Sequence, residues 1–155
     1  MAASAQFATI SSALGFVALE AADALLFKPA GYSCLCPPLA AVAVLLFCLP
    51  KAPASQPRNV LGGHLVATAV ALAVSMLLPP AYAIAGKTLV VAGSILAMSL
   101  TGTTHPPAAA FAYVFLATGM QPKNLLYPGF AGACILVAVQ QVCLAVAPAD
   151  KPKTN

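Results

Sequence analysis

The chain has 155 residues, of which 61% are hydrophobic and 6% charged, and its mean hydropathy is +0.95; it is an integral membrane protein with no soluble domain left over. At about 20 residues per crossing, five or six crossings fill it. The net charge of +4 comes from seven cations and three acids spread singly, which excludes nucleic acid as a partner.

The first predicted segment runs from about Phe7 to Phe27. No basic residue precedes Lys28, so neither a secretory n-region nor an Arg-rich transit peptide is read there. A short segment follows from Pro37 to Leu49, and a third from Val60 to Leu78. After Pro79-Pro80 comes a long apolar stretch from about Lys87 to Thr118, interrupted at His105, and a last segment from about Leu125 to Ala147. An isolated strand in lipid leaves its backbone unpaired, so the segments are helices. The fold class is all-α: a multi-pass transmembrane bundle of five to six segments, two of them short and led by Pro-Pro, in one domain over 1–155.

The connections "FKPAGYSC", "PKAPASQPRN", "PPAYAIAGK" and "GMQPKN" hold most prolines and cations. If every segment crosses, Lys51, Arg58, Lys151 and Lys153 face one side and Lys28, Lys87 and Lys123 the other. That difference is too small to orient the chain by the positive-inside rule. The five cysteines, Cys34, Cys36, Cys48, Cys134 and Cys143, are odd in number and mostly lie in apolar segments, so they read as buried free thiols rather than a disulfide framework. Cys34-x-Cys36 lacks the second pair that a zinc site needs.

"PPLAAVAVLLF" (37–47) is similar to "PPAAAFAYVFL" (106–116), and each is followed by a Pro-basic-Asn run, "PRNVL" (57–61) or "PKNLL" (122–126). Taken as a duplication, the halves cover about 7–78 and 87–147, with Cys36 in the place of His105 and Lys123 in that of Arg58. Three crossings per half make the halves inverted; short segments that turn back make them parallel.

Proline has no amide hydrogen and suits the first turn of a helix, so Pro106-Pro107 starts a new helix. Its free amides point toward Thr103, Thr104 and His105, a setting for a small anion. A helix end contributes roughly 0.3 to 2 kcal/mol, far less than a bare ion costs in hydrocarbon. Hydroxyls of Thr101, Thr103 and Thr104, the His105 imidazole and the Arg58 guanidinium would have to share the work. Arg58 and Asn59 open the third segment, where Gly62 and Gly63 allow close approach and His64 follows. The same residues also fit a kinked helix, a packing histidine and an interfacial anchor, and the glycines at 62, 63, 129 and 132 fit close helix packing. Glu20 and Asp23 share one face of the first helix, as a proton relay or as acids neutralised by Lys28 or Arg58.

"ASQPRNVLGGHLVATAV" (54–70) and "THPPAAA" (104–110) resemble the two signature stretches of the HPP family of integral membrane proteins, and "LLYPGFAGACILVAVQQ" (125–141) resembles the closing helix of its plant and algal branch. The resemblance implies a compact helical membrane domain and, in the photosynthetic branch, nitrite transport across a plastid or cyanobacterial membrane, the plastid envelope or thylakoid foremost. The residues on the signatures are Pro57, Arg58, Asn59, Gly62, Gly63 and His64, then His105, Pro106 and Pro107. The chain departs from the family at Pro38-Leu39-Ala40-Ala41-Val42, where members often read Pro-Phe-Gly-Ala-Ser, and at Ala109, where many have glycine.

The expectation is therefore a transporter or channel for a small inorganic anion, nitrite foremost, in contact with lipid and either self-associating or docked onto neighbours. The rival is a non-transporting subunit of a larger photosynthetic or respiratory membrane complex, in which His64, His105 or Gln140 could ligate a pigment; otherwise no cofactor is expected. No nucleophile-base pair or metal cluster stands at catalytic spacing, so an enzyme is not expected.

Overall fold

The computed structural model describes residues 4–120 and 126–147. Among these residues six helices form the bundle. The first, α1 (Ala5–Ala22), continues through a π turn (Asp23–Phe27) and a 3-10 turn (Lys28–Ala30), 26 residues in all. Ser4 caps its start by accepting from the Phe7 amide. α2 (Pro38–Ala43), extended by a π turn (Val44–Cys48), is short. α3 (Pro57–Leu77) and α4 (Ala83–Thr101) are long. α5 (Pro106–Thr118) is short, and α6 (Ala131–Val146) is preceded by a π turn (Leu126–Phe130).

Four of these helical runs are long and apolar enough to cross a membrane, whereas Pro38–Cys48 and Pro106–Thr118 are shorter apolar helices. The 21 residues of α3 extend about 31 Å, one hydrocarbon thickness. The 13 of α5 extend only about 20 Å.

Two connections differ from the sequence expectation. α3 begins at Pro57, so Pro57, Arg58 and Asn59 belong to the helix and not to the loop. Proline at the first helical position costs no hydrogen bond, and its fixed φ is already helical. α4 begins at Ala83, so "AIAGK" is helix as well; alanine propensity outweighs the glycine there. The connection carrying Lys123, and Lys151 and Lys153 near the chain end, lie outside the described residues.

The contacts fix the helix directions. Gly63 faces Met98 and Gly93 faces Val70, so α3 and α4 are antiparallel. α5 returns beside both: His105 touches Gly63 at one end, and Gly119 lines a cleft with Leu78 and Gly86 at the other. On the opposite side of the bundle the Cys34 thiol donates to the Leu19 carbonyl while Phe47 packs on Gly15, which makes α2 antiparallel to α1. Gly132 meets Leu39 and the Gln140 amide donates to the Leu46 carbonyl at 2.9 Å, so α6 runs with α2. The six helices thus alternate in direction along the chain.

Two apolar clusters fill the interior. Leu19, Leu39, Val42, Leu46, Phe47 and Leu136 anchor the one between α1, α2 and α6. Ala67, Ala71, Val90, Met98, Phe111 and Phe115 anchor the one between α3, α4 and α5. Cys36, just ahead of α2, packs against both.

Candidate functional site

The run "SLTGTTHPP" does not bend one helix; it ends one and starts another in the reverse direction. Gly102 sits at φ 64°, ψ 32°, a left-handed conformation that glycine adopts without a Cβ penalty. The Gly102 amide bonds to the Ser99 carbonyl and the Thr103 amide to the Met98 carbonyl, the Schellman closure that satisfies the last free carbonyls of a helix. Thr103 to His105 make the turn, His105 is extended at φ −143°, and Pro106 opens α5.

That turn lies against the first third of α3. A Cβ on Gly62 would meet the Thr103 methyl at 2.8 Å, and one on Gly63 would meet both the His105 Cβ and the Thr103 carbonyl oxygen at 2.8 Å. The paired glycines are what let the turn touch the α3 backbone. The Asn59 side-chain amide donates to the Thr104 carbonyl at 3.3 Å. Thr103 is buried and bonds through its hydroxyl to Thr101 at 2.7 Å. Thr104 is exposed.

The result is a buried pair of imidazoles. His64 and His105 are each 0% exposed, with ring centroids 5.2 Å apart and tilted by 43°. Phe111 completes the packing at 6.4 Å from His64. The His64 Nδ1 lies 2.8 Å from the Val60 carbonyl and the His105 Nδ1 2.7 Å from the Ala54 carbonyl. A carbonyl only accepts, so each Nδ1 carries the hydrogen and each Nε2 presents a lone pair. Neither Nε2 has a partner among the described residues. Sequence reasoning named both histidines separately; their contact follows from the helix reversal and could not be read from spacing.

Arg58 does not join the pair. It is exposed, with its Nη2 3.8 Å from the Cβ position of Gly102, beside the C-terminus of α4, where a cation complements the helix dipole. Pro106 is exposed and Pro107 buried at the start of α5.

The two acids of α1 separate. Asp23 is 0% exposed; it accepts from the Ser33 hydroxyl at 2.7 Å and the Cys34 amide at 2.8 Å, and pairs with the Lys28 ammonium at 3.0 Å. It ties the α1–α2 connection to the end of α1. Glu20 is exposed. The five cysteines are free, and no group of three or more His, Cys, Asp or Glu able to hold a metal occurs among the described residues.

These features define a multi-pass helical membrane protein built around a buried histidine pair. The chain belongs to the HPP family: the family model described as "HPP, transmembrane region" matches residues 2–152. Two transmembrane proteins of Dictyostelium discoideum are similar to it. One is 36% identical over 84 residues, 53% of this chain and 27% of the relative; the other is 36% identical over 77 residues, 48% of this chain and 27% of the relative. The matched stretch thus spans about a quarter of the length of these curated relatives. No solved structure matches the chain.

Proposed function

We propose that the protein moves a small inorganic anion across a membrane, nitrite foremost, along the seam between two inverted three-helix halves. The observation that carries this reading is the pair of half-length helices, α2 and α5, each led by Pro-Pro, running in opposite directions and packed against one another. Transporters with inverted repeats place their sites where such short helices meet.

The register of buried positions supports the duplication. On α2, Leu39, Val42, Ala43 and Leu46 match Ala108, Phe111, Ala112 and Phe115 on α5 at one constant step along the chain. The same step takes Val60, Gly63, His64, Ala67 and Ala71 to Gly129, Gly132, Ala133, Leu136 and Gln140. Gly63 abuts the Thr103 carbonyl, and its counterpart Gly132 abuts the Cys34 carbonyl. Under this relation Cys36 stands in the place of His105 and Ala133 in that of His64, so the imidazole pair belongs to one half alone.

Nitrite as cargo and a plastid membrane as its place come from the likeness of the two signature stretches to the plant and algal branch. Purified protein in liposomes tests the reading: nitrite uptake faster than in empty vesicles, and slowed by His105→Ala, is expected. Uptake no faster than in empty vesicles, or indifferent to the substitution, refutes it.

A further inference from the structure

We infer that His64 and His105 form one shared proton site, and that anion passage is coupled to the proton it holds; this rests on the transport reading above. Five buried side-chain polar atoms lack a partner among the described residues. One, the Asp23 Oδ2, faces the Lys28 ammonium. The other four, His64 Nε2, His105 Nε2, Thr68 Oγ1 and Ser94 Oγ, belong to the packing of α3, α4 and the turn into α5. Buried polar atoms normally find a partner, and the two imidazoles, whose centroids lie 5.2 Å apart, each keep one bare ring nitrogen, which marks a place for a species that those nitrogens bind.

The chemistry of the atoms says which. With both Nδ1 hydrogens committed to carbonyls, the pair offers only lone pairs at Nε2. A bare anion gains nothing from two lone pairs, whereas a proton gains both. A proton arriving on water turns one ring into an imidazolium, with hydrogens on both nitrogens. The second ring stays neutral and accepts from the first, directly or across one water. No bond to carbon changes and nothing is oxidised or reduced. The pair then carries a single positive charge, which complements one small anion. At a centroid separation of 5.2 Å, repulsion between two imidazoliums opposes uptake of a second proton.

The two hydroxyls point to the proton route. Thr68 lies one turn beyond His64 on α3, and the facing of Gly63 with Met98 and Gly93 with Val70 brings Ser94 level with Thr68. Further along the same helices, Val74 and Gly86 line a cleft of about 230 Å³. Unpartnered groups therefore run from the histidines toward an opening at the α3–α4 turn. Few other ionisable groups face the pair. α3 contributes exposed Arg58, and α4 carries only Lys87, near its far end. α5 has exposed Tyr113, the α1–α2 connection has Cys34 and Cys36, the α2–α3 connection that supplies the Ala54 carbonyl has exposed Lys51, and α6 has Cys134 and Cys143.

The chain contains two histidines in all, so histidine-labelled protein in lipid nanodiscs gives a nitrogen NMR spectrum of these two rings alone. The expected result is both rings protonated at Nδ1 and bare at Nε2 near neutral pH. On acidification both Nε2 signals should move together as one proton is taken up, and His105→Gln should shift the titration midpoint of His64. Rings that titrate independently, that stay unchanged down to pH ~4, well below the unperturbed His value, or that carry the hydrogen on Nε2 at neutral pH would overturn the proposal. In liposomes holding a pH dye, nitrite entry should acidify the lumen more than in empty vesicles; protein-dependent nitrite entry without that acidification overturns the coupling. A shared proton in the spectrum with no nitrite flux refutes the transport reading and upholds the site.

Discussion

Adding one methyl group at Gly63 should destabilise the protein, while adding the same group at Gly86 should not. At Gly63 the new carbon would lie 2.8 Å from the Thr103 carbonyl oxygen and 2.8 Å from the His105 Cβ, against an ordinary contact of 3.4 Å or more. Neither neighbour is the loose end of a flexible side chain. One is backbone closed by the Schellman bonds, and the other belongs to a residue held by its own ring through the Ala54 carbonyl. The helix and the turn must move apart by about half an ångström, an overpacking cost of about 1–3 kcal/mol. At Gly86 the nearest atoms are the Leu78 and Val74 methyls at 3.9 Å, and the methyl fits. Transmembrane helices remain helical in the detergent-unfolded state, so the propensity gain of alanine is small at both sites and does not mask the contrast. Unfolding in mixed micelles with rising denaturing detergent measures it. Gly63→Ala should lose about 1–3 kcal/mol and Gly86→Ala should stay near wild type. Equal losses at the two sites would refute the close approach of turn and helix on which the histidine pair depends.

Asp23→Ala should lower the unfolding midpoint well below that of Asp23→Asn, because asparagine keeps an oxygen for the Cys34 amide and the Ser33 hydroxyl while alanine orphans both; equal midpoints would show that the bonds contribute nothing. In a cysteine-free background, Lys51→Cys and Lys87→Cys should react with an impermeant maleimide from opposite faces of a sealed vesicle, since α3 separates the two positions; labelling from one face would overturn the alternating helix directions.

Pro106-Pro107 as a helix start was legible, because a residue without an amide hydrogen belongs at a helix N-terminus. The closeness of Gly62 and Gly63 to another backbone was legible as a type of contact, though not its partner. The similarity of "PRNVL" and "PKNLL" puts Lys123 in the place of Arg58, whereas the step proposed above from the buried positions would set Val60 against Gly129, a register about one helical turn away. Alanine-rich helices carry too little side-chain information for sequence alone to fix such a register. Arg58 was expected to share an anion with His105 because Gly62 and Gly63 allow close approach and His64 follows; where its side chain lies, exposed and near Gly102 at the end of α4, only the fold decides.

The chain's composition by itself determined that the protein is a helical bundle in lipid, since apolar runs without water to bond their backbones must close their own hydrogen bonds. Proline and glycine positions determined where most helices start and stop, because those residues act on local dihedral angles and single amides. Tertiary structure alone decided that α5 folds back antiparallel to α4, that two histidines 41 positions apart share one buried space, and that their Nε2 atoms find no partner among the described residues. Those outcomes depend on contacts between helices, and in a bilayer such contacts are chosen by the fit of small residues against a neighbouring backbone rather than by hydrophobic pattern.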